Sequence, residues 1–329
     1  MYERAAMHHL PDRNPVVVIP GIMGSRLVDP ESGQLVWGAF ARGGVRPTSA
    51  ESTRLVALPI DSSRGVGALS DELVADKVLD TLSITFAGLP FELQAYAEIL
   101  RTLGAGGYRD AMLADETAID YGREHFTCFQ FPYDWRQDNV VNAGRLARFI
   151  EEKRAYVKSE YARRFGISDY PVKFDLVAHS MGGLIARYYL QYGAQPLEPD
   201  GDLPPLTWEG ARHVERVVLI GTPNAGTVTA LDNLVNGRDF GRPLLPYYPA
   251  ALLGTFPSMY QLLPRARHRA LVRSGANAPT SDLFDVAFWD ARGWGLLERS
   301  QATHLSQLLP DVKTPSERRA LAREHLRTL

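Results

Sequence analysis

A single cysteine, Cys128, is all that the 329-residue chain contains, so no internal disulfide can staple it. No Cys/His cluster has the spacing of zinc ligands, and no metal site is expected. Charge of one sign is scarce as well: 36 Lys and Arg stand against 38 Asp and Glu, for a formal net charge of −2. Without a basic excess or a long like-charge run the electrostatic footprint of a nucleic-acid binder is missing, and no such partner is expected. No uninterrupted apolar run reaches membrane-spanning length, and the opening MYERAAMHHLPDRN lacks the apolar centre of a signal peptide, so the chain reads as cytoplasmic. Repeats and low-complexity tracts are absent too. What is there is ordinary: 45% hydrophobic and 22% charged residues, the make-up of a soluble enzyme able to bury one large core.

Short apolar runs bounded by turn residues stand out at Pro15 to Pro20 (PVVVIP), Phe126 to Phe131 (FTCFQF), Val172 to Ala178 (VKFDLVA) and Val214 to Ile220 (VERVVLI). Near-continuous Val, Ile, Leu and Phe of this length predicts strands covered on both faces, as in a parallel sheet. Helical patterns separate them, over Leu93 to Leu103, over Ala143 to Tyr161 with Leu146, Phe149, Ile150, Val157 and Tyr161 on one face, and over Gly182 to Tyr192. This alternation predicts an α/β architecture, a mostly parallel sheet flanked by helices. The stretch from about 25 to 90 is rich in Gly, Ser, Asp and Pro and reads as an insertion. It is either a lid beside the catalytic loops or a long surface loop.

The third run leads into Ala178-His179-Ser180-Met181-Gly182-Gly183 and then a helix. Strand, serine at a tight small-residue corner, helix is the context of a nucleophile elbow, with Ala178 where G-x-S-x-G has its first glycine. The competing reading is a helix N-cap serine. An elbow needs an oxyanion hole, and the Met181 N–H at the helix start is one candidate donor. The second is the Ile22 N–H in VVVIPGIMGS, where Gly21 and Gly24 let backbone approach a ligand; a plain Pro-Gly turn is the alternative. His179 adjoins the nucleophile, yet at an elbow its side chain points away, so a packing or hydrogen-bonding role is expected for it.

PVVVIPGIMGSRL, FPYDWR at Phe131 to Arg136, AHSMGGLIARYYL and LIGTPNAGT at Leu219 to Thr227 resemble, in order and spacing, motifs of the lecithin:cholesterol acyltransferase family, which includes the phospholipid:diacylglycerol acyltransferases. The resemblance covers roughly residues 15 to 230. It implies an α/β-hydrolase fold, in which an acyl chain moves from a lipid ester onto Ser180 and then to an alcohol or water. Ile22 and Met181 match the family's oxyanion donors. For Asp134, Trp135 and Arg136 it leaves two roles open, an Asp134–Arg136 pair holding the loop beside the site or a substrate contact. A lipid ester substrate and transient contact with a membrane surface follow as partners, and the chemistry needs neither metal nor organic cofactor.

The base is harder to find. Downstream of Ser180 stand His213, His268, His304 and His325. His213 enters the fourth strand from the wrong end, and the others fall in a region of changed composition. Ile220 is the last isoleucine, and beyond it Leu, Ala, Arg, Pro and aromatics dominate, which predicts helices and no further buried strand. The expected organisation is a core over 1–230 and a helical cap over 231–329. The cap's Pro246, Tyr247, Tyr248, Pro249, Phe256, Met259, Tyr260, Phe284, Phe288, Trp289 and Trp294 would either wall an acyl site or form cap core. The last strands, with the triad acid and histidine they would carry, are expected to be missing from a chain that stops short, leaving an open sheet edge at Val214 to Ile220. Failing that, His304 or His325 would fold back onto Ser180 with Asp282, Asp285 or Asp311 as orienter. Three functions stay open: a lipid acyltransferase, a lipase or carboxylesterase using water, and a non-catalytic lipid- or partner-binding remnant.

Overall fold

The computed structural model describes residues 11–38, 45, 50–61, 63–65, 68–79, 81–86, 89–94, 96–113, 125–238, 247–268, 270 and 283–327. In chain order its elements are β1 (Val16–Ile19), β2 (Ser25–Val28), β3 (Leu35–Trp37), α1 (Ala50–Val56), β4 (Val74–Val78), β5 (Thr81–Phe86), β6 (Leu89–Gln94), α2 (Ala97–Ala105), β7 (Cys128–Gln130), α3 (Asn139–Phe165), β8 (Phe174–His179), α4 (Gly182–Tyr192) and β9 (Val214–Ile220). The helices α5 (Val228–Asn236), α6 (Ala250–Leu253), α7 (Pro257–Gln261), α8 (Val286–Arg292), α9 (Ala302–Leu308) and α10 (Pro315–Arg327) follow.

The four apolar runs pair as one parallel sheet in the order β7-β1-β8-β9. The all-Val/Ile strand β1 lies inside it and is buried throughout, which suits residues with no polar face to offer water. Helix α3 starts earlier than its apolar stripe, because Asp138 caps it by accepting from the Val140 N–H at 2.6 Å, and it ends at Gly166 in the left-handed conformation (φ 69°). The second helix begins at Ala97, not Leu93. Leu93 and Gln94 are taken instead by the β5–β6 hairpin, in which Thr81 faces Gln94, so pairing overrides helical periodicity there. β9 departs from the expectation of double cover: Val217, Val218, Leu219 and Ile220 are consecutive and each 36% to 50% exposed, so neither face is fully covered, and among the described residues no strand pairs with its outer edge.

The described residues between 25 and 94 include regular strands and a helix. β3-β2-β4 forms an antiparallel sheet and β5-β6 a hairpin, with Leu27, Val36, Trp37, Val56 and Leu58 fully buried. Trp37 meets Trp135 edge to face at 5.4 Å and Tyr248 at 5.7 Å, which joins this segment to both the core and the cap. Among the described residues beyond Ile220 helices are the regular elements and no strand occurs, apart from an isolated antiparallel bridge between Arg238 and Tyr248. The cap attaches at the carboxyl ends of the strands. Ser258 Oγ donates to the Trp135 carbonyl at 2.6 Å and Asn139 N–H to Gln261 Oε1 at 2.8 Å, both just past β7, while Thr227 N–H donates to the Leu262 carbonyl at 2.8 Å, just past β9. Tyr248, Phe256, Met259, Tyr260 and Trp289 are buried; Pro246 and Asp282 lie outside the described residues. Among the described residues no helix is long and apolar enough to cross a membrane.

Candidate active site

Ser180 occupies the corner between β8 and α4 with φ 51°, a left-handed conformation that costs a non-glycine residue on the order of 1–3 kcal/mol. The corner is held from both sides, its N–H donating to the Ile220 carbonyl at 2.8 Å and its carbonyl accepting from Gly183 at 3.0 Å. The two glycines that follow are dictated by packing. A Cβ on Gly182 would lie 2.3 Å from the Pro20 carbonyl oxygen, and one on Gly183 would lie 2.0 Å from Thr222 Oγ1. Only small residues let α4 start this close to the ends of β1 and β9, and Ala178, fully buried, is small enough on the other side.

The turn after β1 meets this corner. A Cβ on Gly21 would lie 2.8 Å from Ser180 Cβ, so turn and elbow are in contact. The turn is tight: Gly24 N–H donates to the Gly21 carbonyl at 3.1 Å, and Met23 takes φ 61°. The N–H groups of Ile22 and Met181, the amides expected to form the oxyanion hole, make no hydrogen bond among the described residues. Met181 sits at the N-terminal end of α4, where unpaired amides and the helix dipole favour negative charge.

No described histidine hydrogen-bonds Ser180 Oγ. His179 turns away from it, its Nδ1 lying 2.8 Å from the Tyr96 hydroxyl, and burial lowers its pKa below 6.5. His213 precedes β9 at the amino end, between Arg154 at 3.0 Å and Glu151 at 3.2 Å. His268 accepts from Arg267 at 3.1 Å, and His125 is buried against Tyr161 and Phe165. His325 is buried in α10 against the Gly254 backbone, with its pKa lowered by burial to about 4. His304 lies on α9; Asp285 caps α8 by accepting from Ala287 N–H, and Asp311 lies beyond α9, on the surface. Nor does any group of three or more His, Cys, Asp and Glu able to hold a metal occur among the described residues.

Arg136 is fully buried and spends all five of its donors inside the protein. Two go to Asp134 (2.9 and 2.7 Å), two to Asp71 (2.8 and 2.7 Å) and one to the Val56 carbonyl (3.0 Å). Burial opposes its charge, but the carboxylates, Asp134 foremost, hold its pKa above the ordinary value. Trp135 donates from Nε1 to the Ser25 carbonyl at 3.1 Å and packs edge to face on Phe256. This trio therefore bolts the 25–94 segment and the cap to the end of β7. Asp71 and Tyr96, which the sequence did not single out, belong to the same neighbourhood. Neither sits in a motif, and only the fold brings them across 65 and 83 residues to Arg136 and His179.

Comparisons with known proteins bear on the family and the fold. The model of the family described as lecithin:cholesterol acyltransferase matches residues 103–287. The Arabidopsis thaliana phospholipid–sterol O-acyltransferase is 26% identical over 150 residues, 46% of this chain; the chain spans only 22% of that relative's length. A chain in the crystal structure of the Tle4–Tli4 complex superposes with a TM-score of 0.54 at 17% identity, over 96% of this chain and 71% of that one, which bears on the fold alone. The parallel sheet, its flanking helices and the serine corner make this the α/β-hydrolase fold. With the family's model matching residues 103–287, more than half of this chain, the chain belongs to the lecithin:cholesterol acyltransferase family.

Proposed function

We propose that the protein works on lipid esters through an acyl-enzyme on Ser180, with the Ile22 and Met181 amides stabilising the oxyanion and an alcohol or water accepting the acyl chain. One observation carries this reading: a serine in a left-handed corner, pressed against a turn whose Ile22 amide is uncommitted. That strain is kept in place by the close packing of Gly21, Gly182 and Gly183 around it, and strain of this kind gathers at working sites. Family membership and the name of the plant relative support the substrate class. The 25–94 segment and the cap, both on the carboxyl rim, are the elements to shape an acyl pocket.

A second reading, lipid binding without turnover, is favoured by the fact that no described histidine bonds Ser180 Oγ. Hydrolysis of a short-chain p-nitrophenyl ester separates the two. Release of nitrophenol by the parent and its loss in Ser180→Ala supports catalysis; equal rates in both leave binding.

A further inference from the structure

Direction is what an oxyanion donor needs, and the Ile22 amide has its direction fixed by its own peptide unit and by the one upstream. The Pro20–Gly21 peptide is gripped at both ends: its carbonyl accepts the Tyr133 hydroxyl at 2.8 Å, and its N–H donates to the Tyr96 hydroxyl oxygen at 2.7 Å. The next unit, Gly21–Ile22, has its carbonyl tied to the Gly24 N–H at 3.1 Å. In a planar trans peptide N–H and C=O point opposite ways, so tying that carbonyl aims the Ile22 N–H away from Gly24.

Tyr96 stands at the middle of this arrangement. It precedes α2, is buried, and is itself anchored to the turn, since its N–H donates to the Leu79 carbonyl at 3.2 Å while Leu79 N–H donates to the Gly24 carbonyl at 2.8 Å. Its ring also fills the space over Gly24, where a Cβ would lie 2.9 Å from Tyr96 Cε2. The phenol oxygen accepts from Gly21, so its own proton needs an acceptor, and His179 Nδ1 at 2.8 Å is the one provided. That assigns His179 the neutral form with its proton on Nε2. Burial favours the same state from both partners, raising the Tyr96 pKa to about 12 and lowering that of His179.

We propose that Tyr96 is a positioning residue, which with His179 as its acceptor locks the Pro20–Gly21 peptide and thereby aims the Ile22 amide at the oxyanion of a Ser180 adduct. The proposal rests on the nucleophile reading above and assigns His179, beside the nucleophile, to the oxyanion turn instead of to proton transfer.

Tyr96→Phe keeps the ring and removes the one atom that bonds both Gly21 and His179. Three readouts on parent and variant test it. Amide exchange at Gly21 should accelerate about tenfold. The ¹⁵N shifts of the His179 ring should show an accepting Nδ1 and protonated Nε2 in the parent and a tautomer mixture in the variant. Phosphonylation of Ser180 by a fluorophosphonate should slow about tenfold, while thermal unfolding moves by only roughly a few degrees. An unchanged Gly21 exchange rate and His179 tautomer would overturn the clamp, and so would faster exchange with an unchanged phosphonylation rate. Failure of the parent itself to react would strike the nucleophile reading instead, and the exchange and tautomer data would then decide on the clamp alone.

Discussion

β8 and β9 lie side by side in one parallel sheet and read alike in hydropathy, yet they live in different surroundings. Phe174, Leu176 and Ala178 of β8 are fully buried, and the strand delivers Ser180; in β9 only Val214 is buried. An apolar run states what a strand needs around it, whereas its contribution to stability depends on what is there. The same difference separates the turn after β1, gripped by Tyr96 and Tyr133, from the bare outer edge of β9 two strands away.

If burial sets the value of a residue in this way, the largest loss should come from the most enclosed charge. Arg136→Ala strands Asp134 in the interior and should cost about 3–5 kcal/mol in chemical denaturation. A loss below 1 kcal/mol would mean the cluster is hydrated and the contrast overdrawn.

Acid should act next, through the cap. His325 is neutral and buried with a folded pKa of about 4, against an ordinary 6.5. A folded pKa below the unfolded one means that its contribution is full above about pH 6.5 and is lost as pH falls through 4. Over that window the loss amounts to about 3 kcal/mol. His325→Leu should flatten that part of the pH–stability curve, and an unaltered slope would rule out His325 as its source.

The two strands can be compared directly by mutation. Leu176→Ala in β8 should cost at least about 2 kcal/mol. Val218→Lys in β9 should stay within about 0.5 kcal/mol of the parent and reduce light scattering on concentration, because a charge on a bare edge discourages strand pairing. Destabilisation by Val218→Lys as large as that by Leu176→Ala would show that β9 is covered in solution.

Much of the site was legible because its signals are local. Ser180 sits in a six-residue corner whose smallness is a packing requirement that can be read from the sequence, and the Gly21–Gly24 turn is equally compact. The parallel sheet announced itself through four apolar runs. The interior of the 25–94 segment did not, because β2, β3 and β4 are three to five residues long and too short to show a period. Leu93 carried a helical pattern and was claimed by a hairpin. Tyr96 and Asp71 were illegible for another reason: each acts through polar contacts with residues far away in the chain, which leaves no pattern around it. The cap aromatics illustrate the limit of composition, which foretold helices but not that Phe256 would seat on Trp135.

Mapping the site of fluorophosphonate attachment by mass spectrometry goes most directly to the claim that Ser180 is the acyl nucleophile. The phosphonyl group is expected on the peptide bearing Ser180 and absent from Ser180→Ala, whose circular dichroism should match the parent because Oγ supports no described hydrogen bond. Attachment at another residue, or equal attachment in the alanine variant, would contradict it.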